Sequence, residues 1–381
     1  MHKPLASSGR DRHCYALIAL WTAAGVMIFL AWFHSIALVQ DTREREVAAA
    51  ERDLANLTRV SQEHANRTFR SVDQVIRFVQ AQYLAVGDKL DLADLTEKGV
   101  IDAEIFNQVG VIDANGIYIL ANLPIKSRLD LSDREHFLVH KNANDVGLFV
   151  SKPVLGRASG KWSIQLTRRI SRANGEFAGV VVISIDPGYF TRFYGDLSLG
   201  PEGLAALYGM DGVARARKVR DKEEYGANAA ASPMFERIAR NELVGSFVQK
   251  SVVDGVERLF HYRKVPDYPL VVLTGLDTKY LLDNYLQARN GFFLQATLAT
   301  ILILGFALAL VRYLSTMRKE ASARRHAQLQ ILDRTEQLNA IFALSPDGFV
   351  SFDRDRRVKY VSPAFGQMIP DGTDRLPGMS E

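Results

Sequence analysis

The stretch "LSDREHF" at residues 131–137 sets Asp133, Arg134 and Glu135 side by side, with His136 and Phe137 directly after them. A guanidinium in such a cluster has two uses. It can grip a carboxylate through two parallel N–H···O bonds, or it can pair with its own acidic neighbours in a solvated loop, an arrangement worth little at a surface. Both readings stand at this level. Trp162 is similarly open: it lies on a strand pattern and can face a pocket or the core. Catalytic chemistry has no comparable foothold. There is no Gly-rich phosphate loop, no His-Glu-x-x-His and no cluster of His and Asp at metal spacing. The single cysteine, Cys14, excludes an intrachain disulfide and a Cys-based metal site. No catalytic domain, metal site or cofactor is therefore expected within these 381 residues.

The elements that position these residues follow from composition and period. Hydrophobic residues make up 48% and charged residues 24%, a balance that supports packed cores rather than disorder. The net charge of +4 is concentrated at Lys3, Arg10 and Arg12 and again at Arg312, Arg318, Lys319, Arg324 and Arg325. Both clusters flank long apolar runs, so they read as membrane topology signals and not as a nucleic-acid surface.

Residues 15–39 carry no Asp, Glu, Lys or Arg, and "GFFLQATLATILILGFALALV" begins at Gly291. At about 1.5 Å per residue each run can cross a hydrocarbon core of about 30 Å. The first is longer than a signal-peptide apolar core, and "SIA" at 35–37 is a poor cleavage site, so it reads as an uncleaved anchor. The basic flanks place both ends in the cytoplasm and residues 40–290 outside. His34, near the outer end of the first span, reads as interfacial.

Outside the spans, residues 41–83 form one helical pattern, with Leu54, Leu57, Ser61, His64, Thr68, Val72, Val75, Val79 and Tyr83 as its apolar or small stripe. This stalk is expected to pair with a second copy of the chain. The period then falls to two. "FNQVGVIDANGIYILAN" (106–122) reads as two strands around an Asp-Ala-Asn-Gly turn. In "KWSIQLTRRI" (161–170), Trp162, Ile164, Leu166 and Ile170 share one face, and Ser163, Gln165, Thr167 and Arg169 the other. "GEFAGVVVISID" is a buried strand. The plan repeats in "LAALYGMDGVARAR" and "RLFHYRKVPDYPLVVLTGLD", and "SIDPGYF" and "GLDTKYL" each close a set with an Asp. A long helix followed by two such sets gives the class α+β.

The order of span, long helix, "LDLSDREHF", "GLFVSKPVLGRASGKWSIQLTRRI", "NGEFAGVVVISIDPGYF", second set and span resembles the double Cache (PDC-like) sensor domain of bacterial transmembrane receptors, over about residues 40–285. The resemblance implies two stacked PAS-like lobes, a distal one at about 84–195 and a proximal one at about 196–285, with a small-molecule pocket in the distal lobe. In amino-acid-binding members an Arg before a strand grips the ligand carboxylate, nearby aromatics close the pocket, and an Asp after the last strand holds the amine. These map here to Arg134 and Asp186, with Trp162 a further pocket candidate. The sequence departs from that pattern. The aromatic pair after the Arg is His136 and Phe137, and Leu129 stands where a Tyr is expected. The expected ligand is a small carboxylate, an amino acid or an organic acid.

After a second span at 291–314, residues 315–338 read as a coiled-coil signalling linker, with Leu329, Leu332, Leu338, Ile341 and Phe342 as its stripe. "IFALSPDGFVSFDRDRRVKYVSPAF" resembles the opening of a PAS domain, which at 339–381 is too short to be complete. The segment looks most like a sensor histidine kinase of a two-component system, which implies a homodimer in the bacterial inner membrane acting on a cytoplasmic response regulator. A diguanylate cyclase receptor shares the same sensor, and an anchored binding protein without enzymatic output is the alternative from a different class.

Overall fold

The structure, a computed structural model, describes residues 8–102, 105–124, 129–157, 160–344 and 346–368. The chain divides into a compact unit of residues Ser35–Phe293 and a second one formed by the segments Met1–His34 and Leu294–Glu381. Helix α1 (Ser8–Val86) and helix α6 (Thr278–Leu344) contribute residues to both.

In the larger unit the lower part of α1 gives way to α2 (Leu92–Glu97), whose N-cap Asp91 accepts from the backbone N–H groups of Ala93 and Asp94 at 3.0 Å. The distal lobe follows: β1 (Phe106–Asp113), β2 (Ile117–Ala121), β3 (Leu129–Asp130), α3 (Glu135–Asn142), β4 (Phe149–Leu155), β5 (Trp162–Ser171) and β6 (Phe177–Ile185). Its antiparallel sheet has the order β3-β2-β1-β6-β5-β4. Helix α4 (Gly188–Gly195) leads to the proximal lobe of β7 (Leu204–Gly209), β8 (Ala214–Val219), β9 (Lys222–Glu224), α5 (Pro233–Ala239), β10 (Val244–Lys250), β11 (Glu257–Lys264) and β12 (Leu270–Asp277). That sheet runs β10-β11-β12-β7-β8-β9, which is the distal order element for element. The fold is α+β, with two antiparallel lobes against one long helix.

The alternation seen in the sequence sets the layers. Val109, Val111, Ile164, Leu166, Val181 and Ile183 leave the distal sheet toward α1, where Phe69, Val72, Ile76 and Val79 join the same buried core. The opposite face carries Ile112, Val180 and Val182 against Phe137 of α3. The buried line on α1 runs through Leu54, Thr58, Ser61, Ala65, Phe69, Val72, Ile76 and Val79. It is turned slightly from the stripe read in the sequence, because two sheets cover more of the helix than a narrow seam does; Leu57, His64 and Val75 end at its border. Polar links fix the helix in register. Arg168 of β5 forms an ion pair with Asp73, Gln80 Nε2 donates to the Arg169 carbonyl at 3.0 Å, and the Thr58 and Thr274 hydroxyls lie 2.6 Å apart.

The repeat extends to the turns. Gly116 and Gly212 both adopt positive φ (88° and 78°), and a Cβ on either would lie within 2.6 Å of the Cα of Ser132 or Ala230. Each thus seats the strand pair beside the segment that leads into α3 or α5.

In the other unit, α1 and α6 each contain a stretch long and apolar enough to cross a membrane. Trp32 Nε1 donates to Thr300 Oγ1 at 3.1 Å, and Ala24, Ala296 and Ala307 are buried. Leu329, Leu332, Leu338 and Ile341, the linker stripe, are all more than half exposed in the single chain. The strands β13 (Val350–Phe352) and β14 (Val358–Val361) form a hairpin before α7 (Pro363–Met368), and Phe342 packs on Phe349 and Tyr360 at 5.4 and 6.1 Å. The rest of the expected PAS segment, residues 369–381, and the basic residue Lys3 lie outside the described residues.

Candidate ligand-binding site

Between β3 and α3 the chain makes a tight corner. Asp130 Oδ1 accepts from Ser132 N at 2.8 Å, and Arg134 N donates to the Leu131 carbonyl at 3.0 Å. Arg134 thereby sits at the N-cap of α3 with extended backbone (φ −81°, ψ 138°) and supplies no side-chain cap. Its side chain is free to point elsewhere, into a cleft on the face of the sheet that looks away from α1.

Three layers of residues build this cleft. Tyr118, Leu131 and Val182 form an apolar floor. Gln108, His136, Gln165 and Ser184 are buried polar groups in its wall. Leu155 and Arg157 stand at the rim. Ser184 Oγ donates to Gln165 Oε1 at 2.7 Å across β5 and β6. Arg157 makes a bidentate pair with Asp133, at 2.7 and 2.6 Å, and donates to the Asp130 carbonyl at 3.0 Å. That pair holds the Asp133 carboxyl below the usual carboxylate range. The acid beside Arg134 is thus taken by a different arginine. Arg134 forms no ion pair among the described residues, and its Nε is buried without a hydrogen-bond partner.

Of the residues singled out from sequence, Arg134 and His136 line the cleft. Phe137 lies beneath it, fully buried and 5.5 Å from the Phe177 ring. Trp162 is half exposed and pairs with Leu155 at the start of β5; strand parity puts it on the α1 side, with Ile164 and Leu166. Asp186 is engaged at the start of α4, where it accepts from Gly188 N at 2.8 Å and pairs with Arg192 at 3.3 Å. The residue of β6 that reaches the cleft is Ser184, two positions earlier. Gln108, Tyr118, Gln165 and Ser184 were not picked out by sequence reasoning. For Gln165 a signal existed: a polar side chain on a strand covered on both faces needs a partner or a ligand.

The proximal lobe gives an internal comparison. Matching strand registers and turns align Gln108 with Leu204, Gln165 with Phe260 and Ser184 with Gly275, and the caps of α3 and α5 align Arg134 with Ser232 and His136 with Met234. Phe137 meets its like in Phe235. The scaffold position is kept and the polar group is replaced by an apolar or small residue at every one of these cleft sites except the cap serine. The Phe260 ring covers Gly275 so closely that a Cβ there would meet it at 2.8 Å. The polar groups at these aligned positions are therefore a property of the distal lobe and not of the architecture.

Two histidines behind Arg134 are held neutral. Burial, with Arg134 beside it, pushes His136 down to about 4. Burial likewise lowers His140 to about 4, although its Nε2 lies 3.0 Å from both the carbonyl and the hydroxyl of Thr167. Between pH 6.5 and about 4 the unfolded chain binds protons at these rings that the folded chain refuses, so stability falls as pH falls through that window. Thermal unfolding of the distal lobe is expected to drop most steeply there. The His140→Gln variant should flatten the profile; an unchanged slope would show that the ring does not titrate with folding.

Residues 187–275 match the family described as dCache_1_like, histidine kinase sensor domain. Among solved structures, the extracellular domain of rpHK1S-Z16, a protein described as a histidine kinase, is similar at 28% identity and a TM-score of 0.56, covering 62% of this chain and 98% of that one. The ligand-binding domain of the Pseudomonas fluorescens chemoreceptor CtaA with L-isoleucine is similar at 15% identity and a TM-score of 0.46, covering 63% and 98%. The corresponding domain of the Pseudomonas aeruginosa PAO1 amino acid chemoreceptor PctB with L-Arg gives 12% and 0.44, covering 60% and 95%. No curated protein matches the chain. The two-lobed unit is an extracellular sensor domain of the kind carried by receptors that bind small ligands. Within that class it is similar to the double Cache type.

Proposed function

We propose that this chain is the input half of a dimeric inner-membrane receptor, anchored by residues 15–39 and 291–314, whose distal lobe binds a small carboxylate through Arg134. The observation that carries the reading is the guanidinium itself. It is half-buried in a cleft, its neighbouring acid is taken by Arg157, and its Nε has no partner. A donor left in that state costs free energy unless a ligand completes it. The position aligned with it in the proximal lobe is Ser232.

Calorimetric titration of the full chain in lipid nanodiscs against a panel of small carboxylates tests this. Arg134→Ala is expected to weaken binding by about 10–100-fold, the equivalent of losing about 1.5–3 kcal/mol of charge-assisted hydrogen bonding. Unchanged affinity would remove Arg134 from the site.

The output favoured is a histidine kinase acting on a response regulator. The description of the matching family and the similarity to rpHK1S-Z16 support it. The exposed leucine stripe of α6 supports a dimeric coiled coil that carries the signal to a PAS segment. The gene sequence after codon 381 separates the outputs: a histidine phosphoacceptor helix supports the kinase, and a GGDEF-type loop would replace it with a cyclase.

A further inference from the structure

The carboxylate grip at Arg134 says nothing about the rest of the ligand, but the remaining cleft lining does. We infer that the cleft takes carboxylates without an amine, with a hydroxyl, keto or second carboxyl oxygen as their other polar group, and discriminates against amino acids. This rests on the assignment of Arg134 above.

An ammonium carries three N–H donors and no acceptor, and a dry site holds it only by offering acceptors, ideally an anion. Among the described residues that line the cleft there is no Asp or Glu. The undescribed stretches beside it in sequence, 125–128 and 158–159, contain none either. Of the acids nearest in the chain, Glu135 is exposed and does not line the cleft, and the others are engaged. Asp133 is clamped by Arg157, Asp130 Oδ1 by Ser132 N, and Asp186 by Gly188 N and Arg192.

The neutral groups have the same bias. Ser184 gives its proton to Gln165 Oε1, so one acceptor site of that amide is used and its NH2 end is left for a ligand. With the Arg157 charge matched by Asp133 and the Arg134 guanidinium without an ion-pair partner, the lining carries an unmatched positive charge with its N–H donors, and its remaining acceptors are all neutral. Oxygens of a hydroxyl, keto or carboxylate group satisfy such a lining. An ammonium leaves those donors unpaired and adds a like charge, a mismatch sites reject strongly.

The test uses twins that differ only at this group: L-lactate against L-alanine, and L-malate against L-aspartate. They are titrated calorimetrically into the full chain in nanodiscs, with Arg134→Ala alongside. In at least one pair the oxygen-bearing twin is expected to bind about 100-fold tighter than its amino twin, with that binding lost in Arg134→Ala. Ser184→Asp, which adds an acid to the wall, is expected to move the ratio toward the amino twin by about 10-fold. Amino twins that bind as well as or better than their partners, yet need Arg134, would overturn this inference and leave the carboxylate reading intact. Oxygen-bearing twins that bind Arg134→Ala unchanged would overturn the carboxylate reading itself. Failure of all four to bind overturns the selectivity inferred here.

Discussion

Asp254→Ala is expected to destabilise the proximal lobe by about 3–5 kcal/mol, the cost of leaving buried cations without their anion. The carboxylate bridges two arginines whose side chains are 2% and 0% exposed: Arg217 Nη2 at 2.6 Å and Arg258 Nη1 at 2.9 Å. Arg217 also pairs with Glu224, and Arg258 Nε donates to the Glu202 carbonyl at 2.7 Å. Arg217 Nε and Arg258 Nη2 already lack partners, so little remains to absorb a further loss. Burial alone would push the Asp254 carboxyl up. Hydrogen bonds from Arg258 and Ser251, with the Arg258 charge, outweigh it and hold the group well below the usual range. Its contribution is therefore present above an unfolded carboxyl value of about 3.9 and is lost as pH falls below it. Hydrogen exchange of β8 and β11 amides in the full chain would read the effect. As a control, Glu63→Ala removes an exposed pair to Arg67 at 3.6 Å and should change stability by less than about 0.5 kcal/mol. Similar losses in both variants would mean that the buried cluster is not a special anchor.

Phe69→Ala is expected to cost about 3–5 kcal/mol, as large-to-small changes at fully buried aromatics do. The Phe69 ring stacks on Phe190, at the exit of the distal lobe, at 5.7 Å, and meets Tyr268 of the proximal lobe at 5.6 Å. No other α1 aromatic makes both contacts among the described residues. The cavity would open between the lobes, so calorimetry should show one unfolding transition split in two, whereas Phe69→Leu should keep it single. A single transition at an unchanged midpoint in Phe69→Ala would show that the lobes are coupled elsewhere.

Much of this architecture can be read from periodicity. The shift from helical spacing to alternation after Tyr83 marks where the sheet begins, and the paired Asp-Gly turns mark the duplication. Strand parity in "KWSIQLTRRI" separated Gln165 from Trp162 correctly, because a pleat leaves no choice of face. The site was less legible. Arg134 stands out by its place in a charged corner, but which arginine Asp133 chooses depends on Arg157, 24 residues on and near only once the segment after β4, at the opposite edge of the sheet from β3, reaches that corner. Asp186 and Ser184 differ by one strand repeat. Only the end of β6 decides that the serine faces the cleft while the aspartate turns out to start α4. On α1 the sequence stripe runs through Leu57 and Val75, one neighbour off the buried line, since sequence cannot say how wide a face two sheets will cover.

Strand β5 has a mechanical consequence. On one side its Gln165 borders the cleft, and three residues on, on the other side, its Arg168 is clamped to Asp73 of α1. The partition between ligand and helix is thus the thickness of a single polypeptide. On the function proposed above, a molecule that draws Gln165 toward itself would pull on the same backbone that grips the stalk, with no relay of side chains through a core. In that reading, lengthening or softening that one strand would leave the pocket's chemistry intact and make it deaf.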